Sequence, residues 1–163
     1  MTMTPLQEHL DQLQRMNRAV MKGFKAPHKP VLLLTIMELM EKGKIVDNRI
    51  RLDEELQKEF KRLWKILVDG EEEQGVFMVA EGLELELTRR YPFKCNIANP
   101  FYHMQHEAFW RLEKSADWKE GGSVNVSSLR KGYEYAELDG TLFEMMKTGA
   151  SREAIRRTLL DMI

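Results

Sequence analysis

The 163-residue chain contains a single cysteine, Cys95, and no long hydrophobic run. One cysteine cannot form an intramolecular disulfide or a cysteine-based zinc site. Uninterrupted apolar runs such as residues 31–34 are far too short to span a bilayer. Residues 1–13 carry acids and amides where a signal peptide needs an apolar stretch. We therefore expect a cytoplasmic protein that does not enter a membrane.

The sequence also lacks the common catalytic motifs. It has no phosphate-binding P-loop, no GxSxG nucleophile motif and no paired-glycine dinucleotide turn. Cys95 has no accompanying His–Asn pattern, and Glu84 and Glu86 fall on the exposed side of an alternating segment. His103 and His106 have metal-like spacing, but a zinc site needs at least a third ligand. We expect no catalytic residue, no metal and no cofactor, and hence not an enzyme.

Acidic residues are absent from two stretches, 12–37 and 87–106, although the net charge of the whole chain is −1. These stretches hold eight of the 25 lysines and arginines, so the remainder carries a net charge of −9. Charge segregated in this way can present one positive face to phosphate groups. Chance segregation on helix faces would give the same pattern.

The total length of the chain suits one domain over residues 1–163. Helix signals dominate its first third. Thr4 caps a first helix that is expected to end at Gly23. Residues 30–42 are apolar on most faces, which predicts a central buried helix. Residues 44–51 alternate like a short hairpin, and Asp53 caps a third helix. This succession favours a mainly α domain with minor β structure, winged-helix-like in part.

The rest of the chain alternates irregular segments with short elements. Asn99-Pro100-Phe101 is expected to interrupt regular structure. Strands are expected at residues 76–79, 83–87 and 109–112. Helices are expected at residues 127–135, at 139–147 with Asp139 as the cap, and at 151–163 with Ser151 as the cap.

Two of the Pro-containing segments are candidate binding sites. His28 and Lys29 stand where the long apolar helix begins, so unpaired backbone N–H groups and two basic side chains point the same way, which suits a phosphate. The alternative is an ordinary Pro-led helix start with a solvated lysine. Residues 99–103 combine a rigid proline ring with Phe101 and Tyr102, which could instead anchor the segment in the core.

Three blocks of the sequence resemble the DNA sulfur-binding domain, which precedes the HNH nuclease in McrA-like restriction endonucleases. The blocks are PHKPVLLLTIMELMEKGKI…NRIRLDEELQKEFKRLW, NPFYHMQHEAFWRL and YAELDGTLFEMM…SREAIRRTLL, and they occur in the family's order. The likeness covers about residues 10–163. The resemblance implies a reader of DNA whose backbone carries phosphorothioate. It also implies a nuclease domain or subunit as partner, since no HNH-like cluster follows residue 112.

The resemblance also implies particular roles for residues. Sulfur is larger and more polarisable than oxygen, so it gains dispersion contacts in an apolar cup. Asn99, Pro100 and His103 would form that cup, and His28 and Lys29 would contact phosphate and base. The remaining candidate DNA contacts are Lys25, Arg89, Arg90 and Tyr102.

Three positions depart from the family pattern. The family commonly has an aromatic residue at Asn99, a small residue near His103 and often Arg at Lys29. DNA binding depends less on these positions than sulfur specificity does, so two alternatives stay open. One is a reader of unmodified or differently modified DNA, such as a winged-helix-like regulator. The other is a protein-interaction module of a defence system.

These inferences combine into one expectation about geometry. The start of the buried helix, with Lys25, His28 and Lys29, should lie beside the segment from Asn99 to His103. Both segments are free of acids and both contain proline. The two segments would form one basic surface with Pro100 at its centre.

Overall fold

The computed structural model describes residues 2–72, 75–76 and 92–163, and these residues are mainly helical with small antiparallel sheets. This confirms the expected fold class. The helices are α1 (Pro5–Gln14), α2 (His28–Glu41), α3 (Glu54–Leu67), α4 (Ala98–His103), α5 (Val126–Gly132), α6 (Gly140–Lys147) and α7 (Gly149–Leu160), with a 3-10 turn at Met104–His106. The strands are β1 (Val20–Met21), β2 (Phe24–Lys25), β3 (Arg49–Ile50), β4 (Glu71–Glu72), β5 (Gly75–Val76), β6 (Trp110–Lys114) and β7 (Tyr133–Leu138).

Helix α2 is the centre of the fold, as its composition predicts. Residues Val31 to Met37 are all buried, and α2 contacts α3, α4, α6 and α7. A helix that is apolar on most faces needs neighbours on most sides, and these four helices supply them. The apolar side chains of α1 to α7, β3, β6 and β7 join in one core cluster around it.

The N-terminal helix is shorter than expected. The Thr4 hydroxyl and the Gln7 side chain form the predicted capping box, but α1 ends at Gln14. The chain then turns into a β1–β2 hairpin that closes at Lys22 and Gly23, both with positive φ. Two-residue hairpin turns of this kind require positive φ at both positions, so Gly23 serves the hairpin rather than a helix end.

The hairpin expected at residues 44–51 is wrong, and so is the wing that it would have formed. β3 is the only strand in that stretch, and it pairs with β7, with Arg49 opposite Glu137. β7 also pairs with β6, giving the order β3–β7–β6.

The helix expected over residues 127–135 is present only as α5, because the chain becomes extended at Tyr133, where β7 begins.

Two of the three predicted internal helix caps are confirmed. The Asp53 carboxylate accepts from Leu56 N at 2.9 Å, and the Asp139 carboxylate accepts from Leu142 N at 3.0 Å. The Ser151 cap is wrong, because α7 already begins at Gly149 and the Ser151 hydroxyl donates to the Met145 carbonyl.

Residues 99–101 also differ from expectation, because they lie inside α4. Pro100 occupies the first turn of that helix, where a backbone N–H has no helical acceptor. Proline is therefore compatible with the helix, and the segment is regular. Most of the strands expected at 76–79 and 83–87 fall outside the described residues. None of the described helices is long and apolar enough to cross a membrane.

Candidate nucleic-acid interface

A cavity of about 520 Å³ lies between the β1–β2 hairpin, the start of α2 and the exposed side of α4. We call it the histidine cavity. The sequence predicts that the start of α2 lies beside the segment from Asn99 to His103. Both segments line this cavity, through His28 and Lys29 on one side and Asn99 and His103 on the other. The other lining residues are Asn17, Arg18, Ala19, Met21, Ala26, Phe93 and His106.

His28 is fixed at the first position of α2. Its Nε2 atom lies 2.8 Å from the Lys94 carbonyl oxygen, and its ring lies 4.6 Å from Trp64 and 5.9 Å from Phe93. Because a carbonyl oxygen only accepts, Nε2 carries a proton. Burial lowers the pKa of His28, and the hydrogen bond to Lys94 partly opposes that shift. The start of α2 has no side-chain cap in the described part of the chain, so the backbone N–H groups of His28 and Lys29 have no side-chain acceptor there.

Lys29 is not the solvated cation that a Pro-led helix start suggests. Its ammonium donates to Glu107 Oε2 at 2.7 Å and to the Asn17 carbonyl at 2.6 Å. The side chains of Lys29 and Glu107 are only 10% and 11% exposed, respectively. The positive charge of Lys29 is thus neutralised beside the cavity. Lys29 is therefore a buried ion-pair partner, and the expectation that it contacts a DNA phosphate stays a prediction.

Arg18 is a lining cation that the sequence analysis did not select. Its guanidinium donates to the carbonyls of Ala26, Lys25 and Met162. These partners are neutral, and no carboxylate pairs with Arg18 among the described residues. Burial lowers its pKa, but an arginine remains charged at neutral pH. Arg18 therefore supplies a positive charge at the cavity and ties the hairpin to the C-terminal segment.

Asn99, His103 and His106 form the side of the cavity opposite α2. Asn99 and His103 are four residues apart on α4, so they share one helix face. The rings of His103 and His106 stack with centroids 5.9 Å apart. Burial, His106 and Lys29, in that order, lower the pKa of His103.

The other described residues that are predicted to contact DNA do not line the histidine cavity. Pro100 is buried and does not line the cavity, so the expectation that it lies at the centre of the surface is wrong. Tyr102 projects from another face of α4 into a second cavity. Lys25 is exposed on the hairpin beside the histidine cavity. Arg89 and Arg90 lie outside the described residues.

Much of the apolar surface of the cavity comes from residues that the sequence analysis did not select. These are Met21 on β1, Phe93, Ala19 and Ala26. The Lys22-Gly23 pair between two β-prone dipeptides was the signal for the hairpin that carries Met21. No comparable signal marks Phe93, whose place depends on its long-range packing against His28.

Within residues 2–72 and 92–163, no group of three or more His, Cys, Asp or Glu side chains is arranged to hold a metal ion. The expectation of no metal in the whole chain stays a prediction.

Comparison of the sequence with protein-family models and with curated proteins finds no match. The resemblance to the DNA sulfur-binding domain therefore stays a prediction that depends on the quoted residues.

The buried pair gives a prediction about stability. Lys29→Met leaves the Glu107 carboxylate buried without its cation, and we expect a loss of about 3–5 kcal/mol in the free energy of unfolding. The double variant Lys29→Met/Glu107→Gln should recover most of that loss in urea unfolding. Arg15→Met breaks an exposed pair with Asp11 as a control and should change stability by less than about 1 kcal/mol. An equal loss in the single and double variants would contradict a coupled pair.

The lowered histidine pKa values predict pH-dependent stability. The unfolded chain binds protons on His28 and His103 near their ordinary pKa of 6.5, whereas the folded protein resists protonation to lower pH. The unfolded state thus holds more protons in that window, so stability falls as the pH drops through 6.5. Thermal melting at pH 7.5 and 5.5 measures the effect, and the double variant His28→Gln/His103→Gln should flatten it. An unchanged slope in that variant would refute the assignment.

Proposed function

We propose that this chain is a DNA-binding module that takes one backbone phosphate group into the histidine cavity, with phosphorothioate-modified DNA as the preferred ligand. The observation that carries the proposal is the meeting of His28 and Lys29 with Asn99 and His103 around one cavity. These residues come from two of the sequence blocks that resemble the sulfur-binding family. The nuclease partner that the family implies belongs to the same proposal.

The chemistry of one side of the cavity suits an anion. Arg18 is cationic, the start of α2 has no side-chain cap, and the imidazoles of His28 and His103 gain charge when protonated. Binding an anion favours the protonated imidazole. Lys22 and Lys25 extend the cationic character along the exposed hairpin. Such groups bind phosphate without reading the base sequence.

The chemistry of the hairpin side suits sulfur. Asn99 and His103 are poor walls for an apolar cup, but the thioether of Met21 and the ring of Phe93 line the same cavity. Both groups are polarisable and gain dispersion contacts with a sulfur atom. The cup of this chain is thus proposed to be built by the hairpin and Phe93, rather than by Pro100.

The deciding experiment compares one duplex with and without a single phosphorothioate, by fluorescence anisotropy at several salt concentrations. Tighter binding of the modified duplex supports the full proposal. Equal binding of both duplexes with a steep salt dependence would keep the DNA reader and remove sulfur. An absence of binding to either duplex at low salt would overturn DNA binding and favour the protein-interaction alternative, because phosphate-dominated binding is strongest at low salt.

A charge variant tests the phosphate-binding surface. Lys25→Gln removes an exposed ammonium beside the cavity, so affinity should fall for modified and plain duplexes alike. The slope of log affinity against log salt should decrease by roughly one unit. The matched control is Arg130→Gln, which removes an exposed charge on α5 that lines neither described cavity. Equal slopes for the wild type and Lys25→Gln would exclude Lys25 from the interface.

A hairpin variant tests the sulfur preference. Met21→Ser removes polarisable atoms from the cavity wall, and we expect the preference for the modified duplex to fall about twofold, since a few contacts of about 0.1–0.2 kcal/mol each are lost. The neighbouring Val20 is 64% exposed and does not line the cavity, so Val20→Ser is the control. Loss of the preference in both variants, or in neither, would contradict a role for the Met21 thioether.

A further inference from the structure

A second cavity, of about 680 Å³, lies on the side of α4 that carries Tyr102. Its walls include the rings of Tyr102, Trp118 and Tyr133, all of which are half-buried. We call it the aromatic cavity. Neither the sequence motifs nor the proposed phosphate site uses Trp118 or Tyr133. Its volume falls within the range of roughly 300–1,000 Å³ that is usual for small-molecule sites.

Hydrogen bonds hold the walls of this cavity in place. The indole Nε1 of Trp118 donates to the Tyr133 hydroxyl at 3.2 Å. Ser115 N donates to the Gly132 carbonyl at 2.9 Å, and the Ser115 hydroxyl donates to the Lys131 carbonyl. The loop that carries Trp118 is therefore tied to the end of α5 and the start of β7. Its aromatic surfaces are preorganised for a ligand.

The charges around the cavity favour one class of ligand. The Lys114 ammonium lies 3.9 Å from the centroid of Trp118, so the protein's own side chain already occupies a cation position over that ring. Lys119 and Lys131 line the cavity and are exposed, whereas Asp117 and Glu120 supply the acids. An organic cation would have to compete with Lys114. A flat neutral ring that bears an anionic group is not repelled by the Lys114 ammonium, and the rings of Tyr102 and Tyr133 also line the cavity.

We infer that the aromatic cavity binds a nucleotide, with the base against the aromatic rings and the phosphate accepting hydrogen bonds from Lys119 or Lys131. Every nucleobase has a π-face, and stacking on exposed aromatic side chains is how proteins hold unpaired bases. The ligand is a free nucleotide or an unpaired nucleotide of a single strand, since both present the same chemistry. This inference does not depend on the proposed duplex-binding function of the histidine cavity.

The tryptophans of the chain provide a selective signal for the test. Trp64 and Trp110 are only 1% and 2% exposed, whereas Trp118 is half-buried and lines the cavity. A base that stacks at this site quenches the fluorescence of Trp118 and leaves the two buried indoles unaffected. The probes are adenosine 5′-monophosphate, a single-stranded oligoadenylate, and ribose 5-phosphate as the ligand without a base. Calorimetry with the same three probes gives a measurement free of light absorption by the base.

Two variants locate the binding. Tyr102→Leu keeps an apolar side chain but removes the π-face, and we expect on the order of tenfold weaker binding of the nucleotide. Tyr135→Leu is the control, because Tyr135 lies on the same strand as Tyr133, contacts Arg49 and does not line the cavity. Thermal melting of both variants shows whether each is folded before its affinity is compared.

The expected result is saturable quenching by the adenosine monophosphate, the oligoadenylate or both, with weakening in Tyr102→Leu only. Binding of the monophosphate identifies a free nucleotide as a ligand, and binding of the strand alone identifies an unpaired base in nucleic acid. Two results would overturn the inference. One is the absence of a saturable signal from both the monophosphate and the oligoadenylate up to about 10 mM. The other is binding of ribose 5-phosphate with the same affinity as adenosine 5′-monophosphate. Lys25→Gln should leave the binding of adenosine 5′-monophosphate unchanged, so a failure of the duplex proposal is seen separately.

Discussion

The buried ion pair between Lys29 and Glu107 is the contact on which the histidine cavity depends. It joins the start of α2 to the turn that follows α4, and Lys29 also donates to the carbonyl of Asn17 just before the hairpin. Glu107 accepts a second hydrogen bond from the backbone N–H of Asn17 at 3.1 Å. Three parts of the chain are thereby fixed around one space. Each charge is stable in its buried position because the other is present.

This pairing determines the electrostatics of the cavity. A lysine that is neutralised by a carboxylate adds no net charge, so the cationic character of the cavity lining is left to Arg18. Arg18 is bound only to carbonyl oxygens in the described part of the chain and keeps its charge. The pKa values of His28 and His103 are lowered, so those two rings are mostly neutral at pH 7. A phosphate in the cavity would raise both values, which couples anion binding to proton uptake below pH 6.5.

The sequence predicts the parts of this fold that depend on neighbouring residues. The Thr4, Asp53 and Asp139 caps and the burial of α2 follow from local spacing, and each is present. Pairings between residues that are distant in the sequence are not predicted in this way. The hairpin expected at residues 44–51 fails because β3 instead pairs with β7, about 87 residues further along the chain. The Lys29–Glu107 pair spans 78 positions, so no local pattern distinguishes it from a solvated lysine.

Helix α4 explains why one short segment serves two cavities. Asn99 and His103 are four residues apart and face the histidine cavity, whereas Tyr102 is one residue from His103 and turns about 100° away toward the aromatic cavity. Pro100 and Phe101 take the remaining directions and are buried. Interpreted as one irregular segment, the sequence block NPFYH predicts a single surface that contains both Tyr102 and His103. Helical geometry separates them, so a ligand held by His103 in the histidine cavity leaves the exposed face of Tyr102 available to another.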